Sequence, residues 1–309
     1  MERKVIVIVG PTCSGKTKAA MDLAGKLSTE IISADSRQIY KHLNIGTAKP
    51  DNQELQRIQH HFIDYIQPDE EYNVSRYESD GLKMIEDILS RGQIPIVVGG
   101  SGLYIQAIVD GIFNAVDTDV EYRSELKENR DKFGNQFLYD ELKKVDPKSA
   151  SKMLPQNWKR VMRALEVFHL TGKPIWYFQK EYKRKSDINF FQFGLEWPRD
   201  ILYQNINKRV DKMFEAGFVD EVQKILAMGY SKSLNSLNTV GYKEIISYLE
   251  NEISLERTIE LIKRNTRHYA KRQITWFRKD ARIKWLEINP PGDLEKTSDL
   301  ILHQISNLT

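Results

Sequence analysis

Gly10-Pro11-Thr12-Cys13-Ser14-Gly15-Lys16-Thr17 has the spacing G-x-x-x-x-G-K-S/T and follows the β-branched run Val5-Ile6-Val7-Ile8-Val9. That run reads as a strand covered on both faces, and Lys16 to about Leu27 reads as a helix. A strand, a glycine-rich turn and a helix N-terminus in that order point several backbone N–H groups inward and add positive potential. The segment is a cradle for a di- or triphosphate. Lys16 reaches the outer phosphate, and the Thr17 hydroxyl oxygen can ligate Mg²⁺. The cradle does not demand a nucleoside, although a nucleotide kinase or NTPase is its default reading. A kinase would also need a group to accept the proton of the attacking hydroxyl, metal ligands and an arginine-bearing lid.

A second reactive group, Asp35, stands just past the apolar segment Ile31-Ile32-Ser33. The carboxyl edge of an open α/β sheet is where ligands collect, so Asp35 either faces the cradle or caps the turn that follows. The amide of Gln38 can read an adenine edge bidentately.

These groups require a sheet to carry them. Strands at Glu30 to Ser33 and Ile94 to Val98, with a helix from about Val74 to Arg91, continue the strand–helix rhythm. The expected fold is α/β, a P-loop-type doubly wound parallel sheet with a helical insertion domain and a helical C-terminal region. The insertion is placed at 113–187, where Lys, Glu and Arg accompany apolar residues at helical period. Phe190-Phe191-Gln192-Phe193-Gly194-Leu195 then returns to strand character, so 1–112 and 188–309 form the core. Helices are expected at Arg199 to Gly217, Asp220 to Met228 and Ser254 to Phe277.

Composition narrows the function classes. With 309 residues, two domains or one large domain with an insertion are expected. Lys plus Arg number 46 against 43 Asp plus Glu, so any polyanion-binding surface must come from local clustering. Trp158 to Lys185 holds eight Lys or Arg against two Glu, among Trp158, Phe168, Trp176, Tyr177, Phe178 and Tyr182. Lys263 to Lys284 holds nine against one Asp, with His268, Tyr269, Trp276 and Phe277. Cations beside aromatic planes suit a nucleic-acid groove, although a solvated helix face gives the same pattern. The single cysteine, Cys13, excludes an internal disulfide and Cys-rich zinc modules, and it fits a cytoplasmic location. No apolar stretch approaches membrane-spanning length, so no membrane partner is expected. His60-His61 lacks a second His or Cys pair at ligand spacing and reads as a loop or core feature. Asp69-Glu70-Glu71 reads as a solvated loop.

Taken together, the motif blocks resemble one family, the bacterial tRNA dimethylallyltransferases, or tRNA isopentenyltransferases. The matching blocks are Gly10 to Thr17, Asp35-Ser36-Arg37-Gln38-Ile39-Tyr40, Asn44-Ile45-Gly46-Thr47-Ala48-Lys49-Pro50, Gly99-Gly100-Ser101-Gly102-Leu103-Tyr104, Arg160-Val161-Met162-Arg163-Ala164-Leu165-Glu166-Val167, Gly241-Tyr242-Lys243-Glu244 and Lys271-Arg272-Gln273-Ile274-Thr275-Trp276-Phe277-Arg278. They run in the family's order over about nine-tenths of the chain. Two positions depart from the usual pattern: Ser101 replaces Thr, and Cys13 replaces Ala in the phosphate loop.

The resemblance implies transfer of a dimethylallyl group from dimethylallyl diphosphate to N6 of adenine 37 in tRNAs that read codons beginning with U, releasing diphosphate. It makes Asp35 the general base and gives Lys16, Thr17, Arg209 and Mg²⁺ the leaving diphosphate, which lies in the cradle of Gly10, Pro11, Thr12, Cys13, Ser14, Gly15, Lys16 and Thr17. Contacts to the tRNA anticodon stem-loop fall to Asp35, Ser36, Arg37, Gln38, Ser101, Arg123, Lys159, Arg160, Val161, Met162, Arg163, Thr239, Val240, Gly241, Tyr242, Lys243 and Glu244. Gln38 and Ser101 are expected to hold the extruded base. The chain is expected to act as a monomer. An ATP-dependent kinase of a small metabolite is the alternative reading.

Overall fold

The computed structural model describes residues 3–112, 118–181, 184, 186–289 and 292–306. Six parallel strands among them form one sheet: β1 (Lys4–Val9), β2 (Ile31–Ser33), β3 (His60–His61), β4 (Ile96–Gly99), β5 (Asn189–Glu196) and β6 (Lys284–Glu287). Their order across the sheet is β3-β2-β4-β1-β5-β6. β1 lies between β4 and β5, in register with both, so both of its edges are paired.

Alternation along β1 divides the core. Val5, Val7 and Val9 belong to one buried cluster and Ile6 and Ile8 to the other, which is why this strand is apolar at successive positions. α1 (Lys16–Leu27), α3 (Val74–Ser90) and α4 (Gly102–Asp110) cover the two faces, the short α2 (Asn52–Arg57) buries no residue, and further C-terminal helices follow the insertion. Buried residues of α1 join the Ile6 cluster, and those of α3 and α4 join the Val5 cluster. α3 begins where the Asn73 side chain accepts from the Arg76 N–H at 2.9 Å, a cap that satisfies one free donor of the first turn.

The chain divides into two units, Met1–Val109 with Asp187–Thr309, and Asp110–Ser186. The second unit is helical: α5 (Val120–Val145), α6 (Pro147–Ala150), α7 (Trp158–Thr171) and α8 (Ile175–Glu181). α5 breaks at Gly134, whose φ of 82° lies in the left-handed region that glycine tolerates. Leu126, Leu138, Leu142, Val161, Ala164 and Leu165 fill its core. Glu166 is fully buried beside them, accepting from Asp119 N–H at 3.0 Å, Arg123 Nη2 at 2.9 Å and Arg163 Nη1 at 2.6 Å. Burial works to raise the Glu166 pKa, but Arg123 and Arg163 hold it below its ordinary value. Glu166→Ala strands these donors, so unfolding of this unit is expected to lose about 1–3 kcal/mol, measured by denaturant titration.

After β5 come α9 (Arg199–Glu215), α10 (Phe218–Ala227), α11 (Tyr242–Leu249), α12 (Leu255–Phe277) and, beyond β6, α13 (Asp293–Ser306). β6 and α13 were not expected from the sequence. β6 pairs in parallel with β5 at the sheet edge, and α13 packs on α1, where Lys26 meets Asp299 at 2.6 Å. The observed strand β4 begins at Ile96 rather than Ile94, directly after Pro95. His60 and His61 form β3: His60 Nδ1 lies 2.8 Å from the Ile58 carbonyl and His61 Nε2 2.6 Å from Glu30. Among the described residues no cluster of three His, Cys, Asp or Glu side chains could hold a metal ion, and no helix is long and apolar enough to cross a membrane.

Candidate active site

The first unit contains a cavity of about 380 Å³ at the carboxyl edge of the sheet, where the segments leaving β1, β2 and β4 converge. Thr12, Lys16, Thr17, Asp35, Arg37, Gln38 and Arg209 all line it. Asp35, which sequence alone left between a cap and a site residue, is therefore both a cavity residue and the acceptor of a local turn.

The phosphate loop is held from three sides. Ser14 N–H bonds to the Pro11 carbonyl at 3.3 Å inside the turn, and Cys13 and Gly15 adopt left-handed φ values of 64° and 78°. Trp197 Nε1 donates to the Ser14 carbonyl at 2.9 Å. From α12, the Gln273 side chain accepts from Thr12 N–H at 2.9 Å and donates to the Gly100 carbonyl at 3.0 Å. One buried amide thus ties the phosphate loop to the segment after β4. The glycines of that segment permit the approach: a Cβ on Gly99 would stand 2.1 Å from the Ala34 carbonyl oxygen, and one on Gly100 2.2 Å from Gln273 Nε2.

Two cations converge on the loop. Lys16 Nζ donates to the Pro11 carbonyl at 3.2 Å, and Arg209 Nη1 donates to Thr12 Oγ1 at 3.1 Å. Burial pushes the Lys16 ammonium down to about 8; Asp35 opposes that shift and Arg209 reinforces it. Two cations facing one phosphate loop form a site short of negative charge, which an anionic ligand would supply.

The Asp35 carboxylate is set by its own turn. Oδ1 accepts from Arg37 N–H at 2.8 Å and from Gln38 N–H at 3.3 Å. Oδ2 has no hydrogen-bond partner among the described residues, so one oxygen anchors while the other can take a proton.

Ser101 departs from its expected role. Its hydroxyl accepts from Ser36 N–H at 3.0 Å and donates to Ser36 Oγ at 3.3 Å, and it is not among the cavity's lining residues. The one hydroxyl proton is engaged on Ser36, so Ser101 braces the Asp35 turn and has no donor left for a base. Gln38 does line the cavity, but bidentate reading is closed to it. Its Nε2 donates to the Thr47 and Ala48 carbonyls, each at 3.1 Å, leaving Oε1 as the available acceptor.

Glu221 carries a positioning role that no sequence signal reveals. Its carboxylate accepts from Asn44 N–H at 3.0 Å, Ile45 N–H at 2.7 Å, Gly46 N–H at 3.2 Å and Tyr242 O–H at 2.6 Å. It therefore fixes the loop whose Thr47 and Ala48 carbonyls orient Gln38. The Thr47 carbonyl also accepts from Arg209 Nη2 at 3.4 Å.

Of the expected tRNA contacts, Asp35, Ser36, Arg37, Gln38, Thr239, Val240, Gly241 and Lys243 line the cavity. Tyr242 and Glu244 are corrected to structural roles. Tyr242 is fully buried with its hydroxyl on Glu221, and Glu244 accepts from Gly241 N–H at 2.7 Å and from Asn265 at 2.8 Å. In the helical unit, Val161 and Met162 are buried in the core, so their side chains do not present a surface, whereas Lys159 and Arg160 are exposed. Arg123 and Arg163 are paired with Glu166 and remain partly exposed.

The basic clusters differ in how their cations are employed. Around the first, Arg130 lies over Trp158 at 4.1 Å and Lys148 over Trp176 at 3.7 Å. Tyr182, Lys183 and Lys185 of that cluster lie outside the described residues. In the second, Lys263 pairs with Asp211 at 2.5 Å, Arg278 with Glu196, and Arg282 with Asp280, while Lys271, Arg272 and Lys279 are exposed.

The geometry joins a phosphate cradle, a half-anchored carboxylate and an acceptor amide in one cavity. The IPP transferase family model matches residues 38–280. The chain belongs to the IPP transferase family. Among its relatives, it is 49% identical to the tRNA dimethylallyltransferase of Acetivibrio thermocellus over 284 residues, 91% of each chain. It is 47% identical to that of Thermotoga maritima over 307 residues, covering 98% of this chain and 99% of the other. Solved structures of the family agree. The Bacillus halodurans tRNA isopentenylpyrophosphate transferase superposes with a TM-score of 0.72 at 38% identity, over 99% of this chain and 98% of the other. A eukaryotic dimethylallyltransferase acting on tRNA gives 0.82 at 31% identity, over 99% of this chain and 79% of the other.

Proposed function

We propose that this chain transfers the dimethylallyl group of dimethylallyl diphosphate to N6 of adenine 37 in tRNAs reading codons that begin with U, forming N6-dimethylallyladenosine and releasing diphosphate. The observation that carries this reading is the shared cavity: the cationic cradle and the Asp35 carboxylate stand beside an apolar wall that includes Ile206, Val210, Met213 and Ile262. An apolar wall next to a phosphate cradle suits an isoprenoid diphosphate.

The adenine amine is a weak nucleophile because its lone pair is delocalised into the ring, so a proton must leave as the new C–N bond forms. Asp35 Oδ2 takes that proton. Gln38 Oε1 accepts from the same amine, a contact that a guanine, with a carbonyl at the corresponding position, could not return. At the donor, Lys16 and Arg209 receive the negative charge that develops on the leaving diphosphate. Thr17 would hold Mg²⁺ together with the diphosphate's own oxygens, a hard-oxygen set that suits this ion, which seldom uses an all-protein cage. When bound, Mg²⁺ supplies further screening of diphosphate charge. The target base must leave its stack, which costs least in a single-stranded anticodon loop.

Release of diphosphate that requires both dimethylallyl diphosphate and unmodified tRNA tests this reading. Formation of ADP from ATP and a metabolite, with no dependence on tRNA, would overturn it. The exposed cations of α12 are assigned to the RNA backbone. Replacing Lys271 and Arg272 together by Ala is expected to flatten the salt dependence of tRNA binding by about two units in slope, about one per lost phosphate contact, in filter-binding assays. An unchanged slope would remove this face from the RNA site.

A further inference from the structure

α9 and α12 form one wall of the cavity, and their register arranges its chemistry along a line. Arg267 donates to Asn207 at 2.7 Å and Lys263 meets Asp211 at 2.5 Å, so the two helices run antiparallel. At one end, Leu202, Ile206, Ala270 and Ile274 pack around Cys13 of the phosphate loop. Arg209 then reaches Thr12, in the direction in which helical side chains lean. Beyond Arg209 the wall becomes apolar, with Val210 and Met213 on α9 and Ile262 on α12. Met213 stands one turn past Arg209, about 6 Å along the helix axis.

We propose that Met213, together with Ile262, closes the end of the donor channel and limits the donor to a single isoprene unit. This rests on the donor assignment made above. The diphosphate is pinned at Lys16 and Arg209, so the length of the tail is measured from a fixed point. Met213 lines the cavity and is packed on its other side against the buried cluster that contains Val210, Phe218, Val222 and Ile262, so the wall behind it is a filled core. A donor one isoprene unit longer must drive into that cluster, a form of overpacking that close-packed cores resist. The chemistry itself is indifferent to tail length. In either case the C1–O bond to diphosphate breaks with its electron pair leaving on oxygen, C1 bonds to N6, and the N6 proton passes to Asp35. Selection therefore lies in fit.

The test compares kcat/KM for dimethylallyl and geranyl diphosphate on an unmodified anticodon stem-loop, using the wild-type chain, Met213→Ala, Ile262→Ala and the volume-conserving Met213→Leu. The wild type is expected to prefer the shorter donor by more than about 100-fold, since each methylene in an apolar pocket is worth roughly 10- to 200-fold. Met213→Ala or Ile262→Ala should reduce that preference at least about 10-fold, and Met213→Leu should keep it. Circular dichroism melts establish which alanine variants are folded. A wild type that uses both donors equally overturns the assignment, and a folded alanine variant with unmoved preference overturns it for the residue replaced. Failure of the wild type to transfer either group overturns the donor reading itself.

Discussion

Asp35→Asn is expected to lower the rate of dimethylallyl transfer by about 10²- to 10⁴-fold, the range that a positioned general base contributes. Asn keeps an oxygen in the place of Oδ1, so the bonds from Arg37 N–H and Gln38 N–H that form the turn survive. What it loses is Oδ2, the oxygen with no partner among the described residues. The loss should therefore appear in single-turnover rates with saturating donor and tRNA, while the diphosphate is still bound. A fall of less than tenfold would move proton acceptance to another group. Loss of diphosphate binding along with the rate would make Asp35 a support of the cradle instead.

The second large effect belongs to Lys16. Lys16→Met, which keeps length and removes charge, is expected to cost about 10²- to 10³-fold in kcat/KM, the usual loss for one donor aimed at developing negative charge. The same residue sets a pH dependence. Its pKa in the free protein is lowered from 10.5 to about 8 chiefly by burial. Folding thus disfavours the charged form: the penalty is fully present below about pH 8 and is released as pH rises from there toward 10.5, so this group makes stability increase across that window. Ligand binding has the opposite sign. A bound diphosphate stabilises the ammonium, so its affinity should be flat below about pH 8 and decline above it, approaching tenfold per pH unit, with proton uptake on binding. Calorimetry in buffers of different ionisation enthalpy measures that uptake. In Lys16→Met the decline assigned to this group should vanish, and an unaltered pH profile in the variant would place the titration elsewhere.

Much of this arrangement is legible in the sequence. The uninterrupted apolar run Val5 to Val9 announced a strand between two cores, and it supplies alternate residues to two buried clusters. The expected helix Lys16 to Leu27 has the observed bounds of α1, and the helix expected from Ser254 to Phe277 is α12 with Ser254 as its cap. These elements carry strong local signals: a capping residue, a glycine turn, a sustained apolar period.

What escaped was non-local. β6, Lys284-Trp285-Leu286-Glu287, has too few apolar residues to declare itself, and becomes a strand because β5 offers an edge. The Gln38 amide has a donor and an acceptor, so its sequence context suggests a two-handed adenine reader. The carbonyls of Thr47 and Ala48, which occupy the donor, acquire their positions only when Glu221 gathers the backbone N–H groups of Asn44 to Gly46. Motif matching has the same limit at Tyr242 and Glu244, where a block of surface-associated residues also contains side chains turned inward. A motif marks a stretch of chain, and burial decides which of its side chains can touch a ligand.

The cavity account is tested most directly by incubating the protein and Mg²⁺ with dimethylallyl diphosphate labelled in the allyl carbons and two anticodon stem-loops, one with adenine at position 37 and one with inosine there. The account predicts label on N6 of adenine 37 after nuclease digestion and none on the inosine substrate, which has no amine for Gln38 and Asp35 to engage. Equal labelling of both, or label at any other nucleotide, would contradict it.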